Sequence, residues 1–243
     1  MSGAETGLGP GGPRRSDASD VVGGPGVGRG PARPKPVLRG WLHFGALAAM
    51  LVAGPLLVAR SHRPASTAFL VVYVLSMIAL FGVSASFHLI HWSPSARRRM
   101  RRADHSTIFV AIAGTYTAVG GLALGGWSRV LILSLVWAGA VGGIVLRQLW
   151  LDAPKWAVAI PYVVVGWSAV VVLPQLVRSL GGAGFALLLA GGACYTVGAL
   201  VYALRRPDPL PATFGYHEVF HAFTVVGAVL HYVVILVYAL PRS

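Results

Sequence analysis

The sequence predicts an all-α integral membrane protein, a bundle of seven transmembrane helices whose N-terminus is cytoplasmic. Apolar residues make up 56% of the chain and charged residues 11%, whereas charged residues are about 25% of a typical soluble domain. The apolar residues fall into seven runs of about 20 residues, the length that spans a bilayer as a helix. Since open strands leave backbone groups unpaired in lipid, helices are the only interpretation of these runs.

The chain divides into a short polar tail and a long apolar domain. The predicted spans cover residues 41–59, 66–90, 104–124, 130–149, 156–177, 184–204 and 214–240. Short connections hold Pro, Gly, Arg and Asp, which are typical of turns between helices. The membrane domain is therefore predicted at 39–243. Residues 1–38 are rich in Gly, Pro, Ser and Arg, and we expect them to form a disordered basic cytoplasmic tail because they cannot bury a core.

The distribution of positive charge predicts topology and partners. A net charge of +13 would indicate nucleic acid in a soluble protein. Here the cations lie between apolar runs, so we expect no nucleic-acid partner and anionic lipid headgroups beside the tail and the Arg-rich second connection. Fifteen Lys and Arg residues flank the spans on one side and five on the other. The positive-inside rule then predicts a multi-pass protein of the plasma (inner) membrane with an extracytoplasmic C-terminus.

Histidines at membrane depth are the main functional signal. Ionisable side chains are costly there and by default mark a functional site. His217 and His221 lie four residues apart, so they share one helix face about 6 Å apart. His88 lies one turn after Ser84, and Asp104 opens the third run. The topology brings all five to the cytoplasmic end of the spans. Three histidines with an open fourth position for water are typical of catalytic zinc. We therefore predict Zn²⁺ at His88, His217 and His221.

The other histidines have simpler explanations. Several sit at the ends of spans, where an interfacial or hydrogen-bonded packing role is expected; these are His43, His62, His91 and His105. A chelate by His88 and His91 stays open as an alternative, although His91 abuts the end of its span. His231 follows His217 by fourteen residues, roughly 21 Å along a helix, and cannot share its ion. The single Cys194 excludes an intrachain disulfide.

The same motifs resemble the hemolysin III family, which belongs with the progestin and adipoQ receptors. The resemblance rests on Ser84-Ala-Ser-Phe-His88, on Arg102-Ala-Asp104-His-Ser-Thr-Ile-Phe with Ala113-Gly-Thr-Tyr-Thr117, and on His217-Glu-Val-Phe-His221 with His231-Tyr. It covers about residues 36–243. It implies seven helices, a cytoplasmic N-terminus and an intramembrane zinc held by the positions of His88, His217 and His221. An aspartate that binds the zinc water corresponds to Asp104, and the patterned serine corresponds to Ser84.

These expectations lead to a specific chemistry. Zinc lowers the pKa of bound water toward about 7. Asp104 is then expected to act as a general base and acid, and Ser84 to support the site or stabilise an oxyanion. A site near the headgroups favours membrane lipids with amide or ester bonds as substrates, by analogy with ceramidase-like amidases.

Three functions stay open at this stage. The first is a zinc-dependent lipid amidase or esterase. The second is a regulator or receptor of membrane lipid state in which the zinc is structural, so that Asp104→Asn would preserve function. The third is a pore-forming, cytolytic membrane protein, which single-channel recording would test.

Overall fold

The structure is a computed structural model that describes residues 36–242. The predicted tail lies outside the described residues up to position 35. The helices are α1 (Trp41–Ala59), α2 (Pro64–Leu89), α3 (Pro94–Ala123), α4 (Gly126–Leu149), α5 (Lys155–Gly166), α6 (Leu173–Leu204) and α7 (Tyr216–Val233). A 3₁₀ turn, Ser168–Val172, joins α5 to α6, and α7 continues as a π-helix over Val234–Ala239. Within 36–242, extended pairing is limited to one isolated bridge between Leu210 and Phe214.

Six helical stretches of the described chain are long and apolar enough to cross a membrane. Their bounds are Trp41–Ala59, Pro64–Leu89, Pro94–Ala123, Gly126–Leu149, Lys155–Leu204 and Tyr216–Arg242. Large apolar side chains face outward, including Val52 at 66%, Val164 at 65% and Leu149 at 82% exposure. Such a surface is stable only in lipid. The chain is therefore a multi-pass membrane protein whose described residues, 36–242, form helices and their connections.

The fifth stretch differs from the two separate runs predicted at 156–177 and 184–204. It is continuous over 50 residues, Lys155–Leu204. Its helicity is interrupted twice, at the 3₁₀ turn and at Gly181, where φ is 71° and ψ is 173°. The prediction ended the fifth run at 177, but α6 begins at Leu173 and carries the chain past that point. Pro174 lies in the first turn of α6. Backbone N–H groups have no intrahelical acceptor in that turn, so the N–H that proline lacks is not missed and the helix begins readily there.

This stretch folds back on itself. Lys155 Nζ lies 4.6 Å from the ring centroid of Tyr202, and Trp167 Nε1 donates to Thr196 Oγ1 at 2.9 Å. A straight helix would separate Lys155 from Tyr202 by roughly 70 Å at 1.5 Å per residue. The two halves of the stretch thus run alongside each other in opposite directions.

A tyrosine hydroxyl compensates for the break between α5 and α6. Tyr116 Oη donates to the carbonyl oxygen of Gly166 at 2.6 Å and accepts from the backbone N–H of Ala169 at 2.8 Å. Ser168 Oγ donates to the carbonyl oxygen of Val165 at 2.8 Å. Irregular backbone is tolerated at membrane depth where the freed groups are paired again in this way.

Helix α3 begins ten residues earlier than predicted. The run was expected to open at residue 104, with the arginines of 97–102 in a connection, but the helix begins at Pro94. Ser93 caps it by accepting from the backbone N–H of Ala96, and proline suits the first helical position. Arginine is a good helix former, so the basic segment extends the helix into the interface.

Small residues bring the helices close together. A Cβ on Gly191 of α6 would meet His231 of α7, and one on Gly227 would meet Tyr195. Similarly, Gly114 of α3 leaves room for Ser76 of α2. Without a hydrophobic force between helices in lipid, such close backbone approach stabilises the bundle by dispersion. It also fixes α7 against its neighbours, which positions the histidines.

Candidate metal centre

Two helix ends supply the predicted metal ligands. His88 lies one residue before the end of α2, and His217 and His221 lie in the first two turns of α7. The start of α7 is fixed by carboxylates. Glu218 Oε2 accepts from the backbone N–H of Gly215 at 2.9 Å, and Asp208 Oδ1 accepts from that of Tyr216 at 2.9 Å. Negative charge in the first turn also suits the helix dipole.

The three histidines converge on one point. One ring nitrogen from each of His88, His217 and His221 lies within 4.8 Å of the others. His217 Nε2 and His88 Nε2 are 3.2 Å apart. His88 is 5% exposed and His221 3% exposed. His91, the alternative partner of His88 in a chelate, does not join this cluster, because it is exposed beyond the end of α2.

A metal ion fits this donor set. Two nitrogens bound to tetrahedral zinc at 2.0–2.1 Å lie about 3.3–3.4 Å apart, and the separation between His217 and His88 is 3.2 Å. Three imidazoles in one cluster suit zinc and related transition metals. The residues present can therefore hold a metal, although their arrangement does not identify the ion.

Ser84 and Asp104 lie in the same cavity as His217 and His221. The Ser84 side chain lies near the Asp104 carboxyl group. Ser84 is 2% exposed and sits one turn before His88 on α2. All five site residues predicted from the sequence are thus at one end of the bundle.

The cavity extends far beyond the histidines. Its volume is about 370 Å³, within the usual range of small-molecule sites. One face of α3 lines it from Asp104 to Leu124. Twenty residues of helix span roughly 30 Å, so the cavity is elongated. Beyond its polar end most lining side chains are apolar, for example Ile108, Leu176 and Leu188.

His43 is the residue that the sequence interpretation missed. It was expected to be interfacial or hydrogen-bonded, but it is 2% exposed, and neither ring nitrogen has a hydrogen-bond partner among residues 36–242. Its ring stacks on that of His221, with centroids 3.8 Å apart and planes 6° apart. The sequence did offer one indication that His43 lies near the triad: the predicted topology places both the start of the first span and the triad at the cytoplasmic face of the membrane.

The other histidines contact groups outside the triad. His105 Nδ1 lies 2.6 Å from Arg147 Nη2, and Arg147 is 2% exposed on α4. His231 Nε2 lies 3.1 Å from the carbonyl oxygen of Leu188. His62 is exposed, as its position at the end of a span predicts.

Comparison with known proteins places the chain in a family. A family model described as "Haemolysin-III related" matches residues 32–232. The chain is 33% identical to "Hemolysin-3" of Bacillus cereus over 186 residues, which cover 76% of this chain and 82% of that protein. It is 32% identical to "Hemolysin-3 homolog" of Bacillus subtilis (strain 168) over 167 residues, covering 69% and 75%. It is 25% identical to human "Monocyte to macrophage differentiation factor" over 171 residues, covering 69% and 68%. The chain therefore belongs to the hemolysin III family, within the progestin and adipoQ receptor superfamily.

Proposed function

We propose that the protein is a zinc-dependent hydrolase of lipid amide or ester bonds. The observation that carries the proposal is the joining of two features in one cavity. A cluster of histidines with Ser84 and Asp104 forms its polar end, and an elongated apolar channel leads away from it along α3. A polar end that can bind a metal suits a carbonyl group, while the channel suits an acyl chain.

The residues have distinct roles in this proposal. His88, His217 and His221 would hold the ion. Zinc, when bound, lowers the pKa of a water ligand to about 7 and polarises a carbonyl group. Asp104 accepts a proton at its carboxylate and returns it to the leaving group. Ser84, which lies near that carboxylate, orients it. The apolar lining of the channel excludes water from the acyl chain and holds the scissile bond at the polar end.

We also propose seven passes, with the N-terminus in the cytoplasm and the site near the inner leaflet of the plasma membrane. The antiparallel contacts between the halves of Lys155–Leu204 support two passes for this stretch. The excess of Lys and Arg on one side supports the orientation. Single cysteines at Ser95 and Ser128, in a Cys194→Ser background, test it with a membrane-impermeant thiol reagent. Labelling from outside is expected at 128 and not at 95, and the reverse pattern would refute the orientation.

Lipid turnover by the purified protein tests the enzymatic proposal. The chain, reconstituted with zinc, would be incubated with lipids that carry one labelled acyl chain in amide or ester linkage, and released fatty acid would be measured. Asp104→Asn is expected to lower turnover by about 10²–10⁴-fold, the usual contribution of a general acid–base. His91→Ala is the matched control, because this exposed histidine lies three residues after His88. Full turnover in Asp104→Asn would refute the assigned role.

A second candidate is a regulator of membrane state in which a metal is structural. The observation in its favour is that the histidines come from α2 and α7, so one ion would link an early helix to the last one. In this case Asp104→Asn would preserve function, whereas His217→Ala would loosen the bundle. Unfolding measured with and without zinc, beside the turnover assay, separates the two candidates.

A further inference from the structure

The short segment from Arg39 to His43, which leads into α1, packs closely around the proposed metal ligands. A Cβ on Gly40, where φ is +94°, would overlap His88 Cβ, so only glycine allows this approach. Arg39 Nε donates to Glu218 Oε1, in an ion pair beside His217. His43 stacks on His221. This segment of five residues thus contacts the surroundings of every ligand in the triad.

His43 is costly to bury in the form the structure shows. Both ring nitrogens are buried and unpaired among the described residues. Phe81 covers the ring from the side, with centroids 5.3 Å apart and planes 64° apart. Leaving a buried polar group without a partner is costly, because the group gives up its hydrogen bonds to water and gains none in the protein. The fold tolerates this cost at a residue that lines the cavity and lies against His221.

The stacking geometry excludes one role for His43. A ligand nitrogen points at its metal within the plane of its own ring, at 2.0–2.1 Å for zinc. The planes of His43 and His221 are only 6° from parallel and the centroids are 3.8 Å apart. An ion in the plane of His221 therefore lies too far from the plane of His43 to be bound by both rings. His43 is therefore not a fourth ligand in this arrangement.

The same geometry favours a different role. A face-to-face sandwich is the least favoured arrangement of two similar aromatic rings, because their quadrupoles repel. The repulsion becomes attraction when one ring carries positive charge, as in cation–π contacts. A metal ion bound to His221 withdraws electron density from that imidazole. The stack is thus more stable with metal present than without it.

We propose that His43 is a positioning residue of the metal centre, which holds the His221 ring by stacking and thereby strengthens metal binding. This inference rests on the proposed metal centre. The stabilisation of the His221 ring comes from the aromatic face of His43 and not from either of its ring nitrogens. A phenyl ring at position 43 should therefore do what histidine does, whereas an aliphatic side chain of similar size should not.

Metal titration of the full-length chain in detergent tests the inference. After chelator treatment, Co²⁺ binding would be followed by visible absorption and Zn²⁺ affinity by competition with a chromophoric chelator. His43→Leu is expected to weaken Zn²⁺ binding by about 10–100-fold, the usual effect of losing a group that supports a ligand. His43→Phe is expected to retain an affinity within about threefold and an unchanged Co²⁺ spectrum. His231→Leu removes another buried histidine, remote from the triad, and should leave the affinity unchanged.

The possible outcomes distinguish the role inferred for His43 from the proposed metal centre on which it rests. If the wild-type chain binds neither ion, the metal centre itself is refuted. If it binds both and His43→Leu binds equally well, the inference is overturned while the metal centre stands. If His43→Phe binds as weakly as His43→Leu, stacking is not the cause. Should His43→Leu fail to fold, His43→Phe alone decides, because a tenfold loss of affinity in that variant would overturn the inference.

Discussion

The ion pair between Arg39 and Glu218 gives a sharp test of how α1 is held against α7. The Glu218 side chain is 1% exposed and that of Arg39 18% exposed. Replacing Arg39 with Met keeps an apolar stem in place but leaves the carboxylate buried without its cation. Removing one partner of a buried pair costs about 3–5 kcal/mol. Because Arg39 is partly exposed, we expect about 3 kcal/mol, at the lower end of that range.

A second ion pair provides the matched control. Arg101 Nη1 and Asp152 Oδ1 are 2.9 Å apart, with side-chain exposures of 37% and 86%. Exposed pairs contribute about 0–1 kcal/mol, so Arg101→Met should cost no more than that. The free energy of unfolding would be measured in mixed micelles by titration with sodium dodecyl sulfate and circular dichroism. Adding Glu218→Gln to Arg39→Met should recover part of the loss. Equal costs for Arg39→Met and Arg101→Met would refute the reasoning.

Three further predictions concern packing and conduction. Gly143→Ala should destabilise the protein by about 1–3 kcal/mol, because the new Cβ would overlap the buried Phe109 ring. Its control, Gly142→Ala, has open space around it and should be neutral or stabilising by up to about 1 kcal/mol. Equal effects of the two variants in unfolding assays would contradict this packing. Gly181→Ala should cost about 1–3 kcal/mol, because a φ of 71° with a ψ of 173° lies in a region that is essentially restricted to glycine. Gly182→Ala should not carry this cost, and indistinguishable unfolding of the two variants would show that the helix is continuous there. Reconstituted protein should give no single-channel current if the cavity holds lipid chains, and steady conductance would favour the pore.

The sequence predicted which side chains cluster, while the limits of the helices around them differ from the prediction. The spacing of His217 and His221, with a charge-based topology, was enough to place His88 and Asp104 beside them. Helix limits were less predictable, since Arg97–Arg102 could be assigned to a loop although arginine is a good helix former.

Tertiary contacts explain what the sequence could not supply. His43 resembled an interfacial histidine because nothing in its own helix shows that Gly40 lets α1 approach His88. Likewise, the break between α5 and α6 depends on the Tyr116 hydroxyl, 50 residues from Gly166 along the chain. Whether a polar side chain faces lipid or a partner helix is decided by such distant contacts.

The metal content of the purified chain tests the central claim most directly. Elemental analysis would be performed on wild-type protein, on His88→Ala and His217→Ala, and on His231→Ala as a control from the same helix as His217. The account predicts one zinc per chain in the wild type and in His231→Ala, and none in the two ligand variants. Folded wild-type protein that takes up no zinc, or zinc retained in both ligand variants, would contradict it.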